Sequence, residues 1–258
     1  MAPTPYDHFR FVLVRTSHSG NIGSAARAIR TMGFDRLTLV APNRFPDPEA
    51  TALAAGADDV LANAVVVDDV VGGLAGTTFA LGLSARRRGV NIPELDPREG
   101  AAQAIAAARR GEQVALVFGN ERTGLENDEL SRCHAMVRIP SVDDFSSLNL
   151  SQAVQVVAYE IRTALLAEQA QAAPVAEPAE VDPDEVPADA EQVERFFTHL
   201  GETLDDIEFH KGRSPTTIML KLRKLFLRAR PELRELRILH GILADAQRMA
   251  DMAHKKGD

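Results

Sequence analysis

Short apolar runs separated by stretches of helical periodicity set the layout of the first two thirds of the chain. Residues 11–14, 37–40, 64–67, 78–81, 114–118 and 136–139 are each almost wholly apolar, without polar alternation. Such runs fit strands covered on both faces of a sheet. Between and after them, residues 24–32, 69–74, 97–110 and 148–166 carry apolar side chains at helical spacing, with a further short helix between the last two strands. The first strand, a loop of small residues (Thr16 to Gly23), a helix closed by Gly33 and the next strand form a βαβ unit. Repetition of that unit predicts an α/β fold built on a mostly parallel sheet.

The pattern changes after residue 166. Between Glu168 and Glu194 there are nine acidic residues and no Lys or Arg, with Pro174, Pro178, Pro183 and Pro187 interspersed. That composition predicts a solvated, self-repelling linker. Beyond it the helical period returns. Val193, Phe196, Phe197 and Leu200 mark one helix. Ser214-Pro215 is a cap followed by proline at the first helical position, opening a helix to residue 230. That helix is expected to bury Ile218, Met219, Leu222, Leu225 and Phe226, and residues 233–249 form a last helix. The expected organisation is a domain at 1–167, a linker at 168–190 and a small all-α domain at 191–258.

Charge is unevenly spread. The 258 residues sum to −8, which as a whole argues against nucleic acid, yet Lys211 to Arg237 holds nine Lys/Arg against two acids, a local +7. Distribution matters more than the sum. Such a block suits phosphate contact, with Lys211, Arg213, Lys221, Lys224 and Arg228 as candidate RNA-binding residues; a solubilising helix face is the alternative. The lone Cys133 rules out an internal disulfide and fits a reducing compartment. No apolar run is long enough to span a bilayer, and no leader pattern opens the chain, so a cytoplasmic location is expected.

Four loops carry candidate chemistry. Gly20-Asn21-Ile22-Gly23 with Arg27 is an incomplete dinucleotide fingerprint, and the Walker pattern is absent. Arg27 alone reads equally as a surface arginine. Gly82 to Arg88 ends a strand with Arg86, Arg87 and Arg88, suited to an anionic substrate or simply an exposed turn. Phe118-Gly119-Asn120-Glu121 follows the most strand-like run; Gly119 admits close backbone approach, and Glu121 is either functional or a turn residue paired with Arg122 or Arg86. Pro140 to Ser151 joins a strand to a long helix and offers N-cap types in Ser146, Ser147 and Asn149. Loops at the carboxyl ends of strands are where open α/β sheets bind ligands.

Taken together and in order, Asn21-x-Gly23-x3-Arg27, Phe118-Gly119-Asn120-Glu121-x2-Gly124-Leu125, and Ile139-Pro140 leading to Ser146-Ser147-Leu148-Asn149-Leu150-Ser151 resemble the motif set of the SPOUT RNA 2′-O-methyltransferases. The flanking Thr16 to Asn21, residues 148–162 and the basic tail resemble the TrmJ-type tRNA (cytidine/uridine-2′-O-)-methyltransferases among them. The resemblance implies a sheet whose carboxyl-terminal part forms a trefoil knot. It implies S-adenosylmethionine held by Leu83, Ser84 and Ala85, by Gly119 and Glu121, and by Ile139, Ser146, Ser147, Leu148 and Asn149. It further implies a homodimer with sites completed across the dimer, and methylation of ribose at position 32 of the tRNA anticodon loop. Arg27 matches the family's essential arginine, Ser147 is a candidate in removing the hydroxyl proton, and Asn21, Arg86 and Arg87 are placed against RNA. A ribosomal-RNA methyltransferase of the same fold and a non-catalytic RNA-binding module are the alternatives; a nicotinamide oxidoreductase is a more distant one.

Overall fold

A computed structural model describes residues 4–86, 89–142, 144, 146–171 and 186–257. The chain divides into two compact units, Met1–Glu177 and Pro178–Asp258.

In the first unit a 3-10 turn, Pro5–His8, leads into β1 (Phe9–Val14). Then follow α1 (Ser19–Thr31), β2 (Leu37–Val40), α2 (Pro48–Ala54), α3 (Asp58–Ala62), β3 (Val65–Val67), α4 (Val70–Leu74), β4 (Phe79–Leu83), β5 (Glu94–Leu95), α5 (Pro97–Arg109), β6 (Val114–Phe118), α6 (Asn127–Leu130), β7 (Ala135–Val137) and α7 (Leu150–Gln171). The strands form one sheet in the order β3-β2-β1-β6-β4-β7-β5, and every pairing is parallel. Register is fixed at the centre by Phe11 opposite both Leu37 and Leu116, and by Leu81 opposite Leu116. The α/β reading holds for the reason the sequence gives: β2, β4, β6 and β7 are buried at every position, as unbroken apolar runs require. Helix α1 packs on α2 and α7, and α7 also packs on α5. Phe34 anchors one edge of the core, meeting the rings of Tyr6, Phe9 and Phe11 at 5.1–5.5 Å between centroids.

The largest departure from the sequence reading is the start of α1. The helix opens at Ser19, so Gly20-Asn21-Ile22-Gly23 is helical rather than a loop. Its glycines serve helix packing. A Cβ on Gly23 would lie 2.0 Å from the carbonyl oxygen of Ala50 in α2, so the two backbones touch where only glycine fits. Helices α2 and α3 and the two-residue β5 have no counterpart in the sequence reading. Helix α2 is nonetheless signalled locally: the Asp47 carboxylate accepts from the Glu49 amide, and Pro48 takes the first turn. Helix α7 runs past the expected domain end at 167 to Gln171, with Glu168 paired to Arg109 at 2.5 Å. Residues 172–185, most of the expected acidic linker, lie outside the described residues, as do Arg87 and Arg88.

The second unit holds α8 (Ala190–Asp206), α9 (Pro215–Ala229) and α10 (Leu233–Gly257). Asp189 and Gln192 cap α8 reciprocally, and the Ser214 hydroxyl accepts from the Thr217 amide at the start of α9. The core is Val193, Phe196, Phe197, Leu200, Leu204, Leu227 and Leu236, with Phe226 edge-on to Phe196 at 4.7 Å. Leu225, expected inside, is 47% exposed. It sits at the outer margin of the stripe of Ile218, Met219, Leu222 and Phe226, about 160° around α9 from buried Leu227, since each residue turns the helix by about 100°. Arg223 is drawn inward: its guanidinium pairs with the Glu194 carboxylate and lies over the Phe197 ring at 4.3 Å.

Candidate active site

The carboxyl ends of β4, β6 and β7 open onto a cleft with about 800 Å³ of empty space, open to solvent. Its walls are three loops. Leu83, Ser84, Ala85 and Arg86 come from the end of β4; Phe118 to Gly124 follow β6; Val137 and Ile139 come from β7 and its exit. Ser146, Ser147 and Leu148, with Leu150 and Ala153 of α7, close the remaining side. The structure thus brings together the residues the sequence singled out on three separate loops. Arg86, assigned to RNA, lines this same cleft.

Each wall is locally built. Ser84 donates its amide to the Val137 carbonyl at 3.1 Å and its hydroxyl to the Arg86 carbonyl at 2.8 Å, which folds the β4 loop back over β7. At Gly119 a Cβ would lie 2.1 Å from the Leu125 nitrogen and 2.2 Å from the Gly124 carbon. The glycine is needed because the β6 loop closes on its own backbone, a closure completed by the Gly124 amide donating to the Asn120 carbonyl at 2.7 Å. Gly124 itself has φ +67°, in the left-handed region.

Polar side chains then tie the loops to two helix starts. Asn120 donates through Nδ2 to the Arg15 carbonyl at 2.6 Å and the Ser17 hydroxyl at 2.7 Å, and accepts through Oδ1 from the amides of Arg122 and Thr123. The Glu121 carboxylate accepts from the amides of Ser17 (2.9 Å) and His18 (3.2 Å) and from Asn21 Nδ2 (2.9 Å). It pairs with neither Arg122 nor Arg86; it receives the free N–H groups in front of α1. Burial pushes the Glu121 carboxyl up, but the hydrogen bonds from Asn21, Ser17, its own amide and His18 outweigh this and hold it below the usual value. Asn21 Oδ1 in turn accepts from Asn149 Nδ2 at 2.9 Å, and Asn149 Oδ1 accepts from the amide and hydroxyl of Ser151, capping α7. One relay, Glu121 to Asn21 to Asn149, therefore joins the β6 loop, α1 and α7.

Asn21 and Asn149 sit beside the cleft rather than in its wall. Arg27 lies further along α1, exposed and outside the wall; among the described residues its guanidinium has no hydrogen-bond or ion-pair partner. Ser147 lines the cleft and is exposed. In the second unit Lys211, Arg213, Lys221 and Arg228 are exposed and Lys224 half-buried. Arg213 is already engaged, donating to the carbonyls of Phe209 (2.7 Å) and His210 (3.1 Å). The sequence reading named no role for Ser17, and placed Asn120 only within the loop implied to hold the cofactor. Their signal was present in the Thr16-Ser17-His18 and Phe118-Gly119-Asn120-Glu121 stretches, but the pairing across about a hundred residues was not.

Comparison with known proteins fits this geometry. The sequence model described as the SpoU rRNA Methylase family matches residues 8–159, and that of the tRNA methyltransferase TrmJ C-terminal domain matches residues 191–255. The chain is 49% identical over 241 residues to a tRNA (cytidine/uridine-2′-O-)-methyltransferase TrmJ of Klebsiella pneumoniae, covering 93% of this chain and 96% of that one. It superposes on the crystal structure of TrmJ from Z. mobilis with a TM-score of 0.76 at 33% identity, covering 92% and 97% of the two chains. The SpoU methyltransferase AviRb from Streptomyces viridochromogenes, in complex with AdoMet, shares the fold at 22% identity and a TM-score of 0.51, over 64% of this chain and 63% of that one. With both family models matched in order and near-half identity along almost its whole length, this protein belongs to the SpoU methylase family, among the TrmJ tRNA (cytidine/uridine-2′-O-)-methyltransferases.

Proposed function

We propose that this protein methylates the 2′-hydroxyl of ribose in tRNA, at cytidine or uridine in position 32 of the anticodon loop, with S-adenosylmethionine as donor. The observation that carries the reading is the meeting of three motif loops in one cleft, braced by the relay from Glu121 through Asn21 to Asn149. The wall suits the donor. Leu83, Val137, Ile139, Leu148 and Leu150 offer apolar surface for an adenine ring, while loop backbone at Ser84 to Ala85, Gly119 to Glu121 and Ser146 to Leu148 offers polar groups for its edge. Asn149 stands behind that wall and shapes it by capping α7.

When bound, the donor supplies a methyl group already activated on a sulfonium. The chain's task is alignment and care of the hydroxyl proton. Arg27 is a fixed cation, since a guanidinium does not lose its proton in a protein. It clamps the neighbouring phosphate, positions the 2′-hydroxyl and stabilises the charge that develops on it. Ser147, in the cleft wall, stands where the proton can leave through its hydroxyl to water. Because Arg27 lies outside its own chain's cleft, the reading includes a homodimer in which a second copy supplies it. Cytoplasmic action on tRNA follows from this reading, with no helix among the described residues long and apolar enough to cross a membrane. The trefoil knot belongs to it as well, supported by the insertion of β6 between β1 and β4 and of β7 between β4 and β5. The basic face of the second unit, with Lys211, Lys221, Lys224 and Arg228, grips the tRNA backbone; such contacts position RNA rather than read its bases.

The test maps 2′-O-methylated nucleosides by mass spectrometry in separated tRNA and rRNA, with and without the protein. Methylation at tRNA position 32 is expected, and methylation confined to rRNA overturns the substrate. Arg27→Ala and Arg27→Lys are expected to lose transfer while calorimetry shows S-adenosylmethionine still bound. Loss of donor affinity instead reassigns Arg27 to the cofactor cleft.

A further inference from the structure

The amino ends of β1, β2 and β3 border a second cleft, at the other end of the sheet from the first, with about 920 Å³ of empty space open to solvent. Its polar lining is Arg10, Asp35, Arg36, Thr38 and Asn63. Arg10 is half-buried and donates through Nη1 to the carbonyls of Gly73 (3.3 Å) and Ala75 (2.9 Å) at the end of α4. Arg36 is half-buried too, and donates through Nη1 to the Asp7 carbonyl (2.8 Å) and the Gln113 side-chain oxygen. Each guanidinium therefore spends one nitrogen on uncharged acceptors and keeps its other N–H groups.

Among the described residues, neither guanidinium meets a carboxylate at ion-pair distance. Several other arginines of the same unit are matched, Arg15 with Glu126, Arg30 with Asp59, Arg110 with Glu112, and Arg138 with Glu94, whereas the unmatched Arg27 is exposed to water. The Asp7 carboxylate turns back to the amide and hydroxyl of Thr4, and the Arg36 charge is the least of the influences on it; exposed Asp35 on the rim makes no ion pair among the described residues. Two cations partly withdrawn from water without a carboxylate at ion-pair distance repel one another and lose hydration, and a bound anion offsets both costs. Burial first, and the Arg36 charge second, lower the pKa of Arg10, which agrees with such crowding.

We propose that this cleft is a phosphate-binding site, with one phosphate group held between the guanidiniums of Arg10 and Arg36 beside Asn63. Forked N–H donors of arginine match the oxygens of a phosphate. The phosphate comes from a free nucleotide or from the RNA backbone, and the site stands apart from the methyl-transfer reading.

The test uses the full chain with ¹⁵N-labelled arginine side chains, titrated with inorganic phosphate, with AMP and with tRNA. The Nε–H resonances of Arg10 and Arg36 are expected to shift together with one dissociation constant. Since a hydrogen bond to a charged group is worth about 1.5–3 kcal/mol, Arg36→Gln is expected to weaken that response about tenfold or more. Asp35→Asn, a rim change that removes a like charge and no fold contact, is expected to tighten it a few-fold. If RNA supplies the phosphate, Arg36→Gln also weakens tRNA binding and lowers its salt slope by about one. If a free nucleotide supplies it, Arg36→Gln weakens the AMP response and leaves tRNA binding unchanged. The site is overturned if none of the three probes moves the two signals, or if both variants respond as the parent does.

Discussion

Replacing Glu121 by Gln tests whether the relay between loops rests on charge. The carboxylate accepts three hydrogen bonds, at 2.9, 3.2 and 2.9 Å. Glutamine keeps the shape but offers one oxygen, and its NH₂ group faces donors. At least one of the three bonds is lost, with the charge that strengthened the others. A hydrogen bond to a charged group contributes about 1.5–3 kcal/mol; with Glu121 half-exposed, the expected loss is at the lower end, about 2 kcal/mol at pH 7. The assay can be confined to the first unit, because the chain has no tryptophan and both tyrosines, Tyr6 and Tyr159, lie there. Tyrosine fluorescence during urea unfolding reports on that unit alone. The pH dependence gives a second check. The folded pKa of Glu121 is lowered, so its stabilisation is full above the ordinary value of 4.5 and is lost as pH falls through the folded value. The gap between parent and variant should close in that acid range and stay constant from pH 6 to 8. A loss below about 0.5 kcal/mol at pH 7, or a gap indifferent to acid, refutes the reasoning.

Two further outcomes follow from the same geometry. Gly119→Ala forces a methyl group into the Gly124–Leu125 backbone, with 2.1 Å to the nearest atom, and is expected to cost about 3 kcal/mol or more in the same unfolding assay. A chain ended after Gln171 is expected to bind S-adenosylmethionine by calorimetry as the full chain does while methylating tRNA poorly; full activity would remove the role given to the second unit.

The strand pattern was legible because a parallel sheet buried on both faces needs apolar runs, and the central strands supply them. The cleft was legible for a related reason: its loops follow those strands and carry small, turn-forming residues. What the sequence hid was pairing at a distance. Glu121 looked like a turn acid because its partners, Ser17, His18 and Asn21, lie about a hundred residues earlier. Gly23 looked like part of a ligand loop because glycine serves close backbone approach to a helix as well as to a phosphate, and only the position of Ala50 decides which. Leu225 was assigned to the core because an apolar side chain one step off the stripe is indistinguishable by type alone. Short elements such as α3 and β5 offer too few residues for a period to be read.

The inward turn of Arg223 bears on how tightly any polyanion is held. Its counter-charge is supplied by Glu194, so on its account no condensed counterion would be released from a docking nucleic acid. Arg213, wrapped on two carbonyls, is likewise less free to follow a strand of phosphates. On the proposed role of the tail, the stretch from Lys211 to Arg237 would then act as a weaker electrolyte than its nine basic residues suggest, favouring release of the product over prolonged capture.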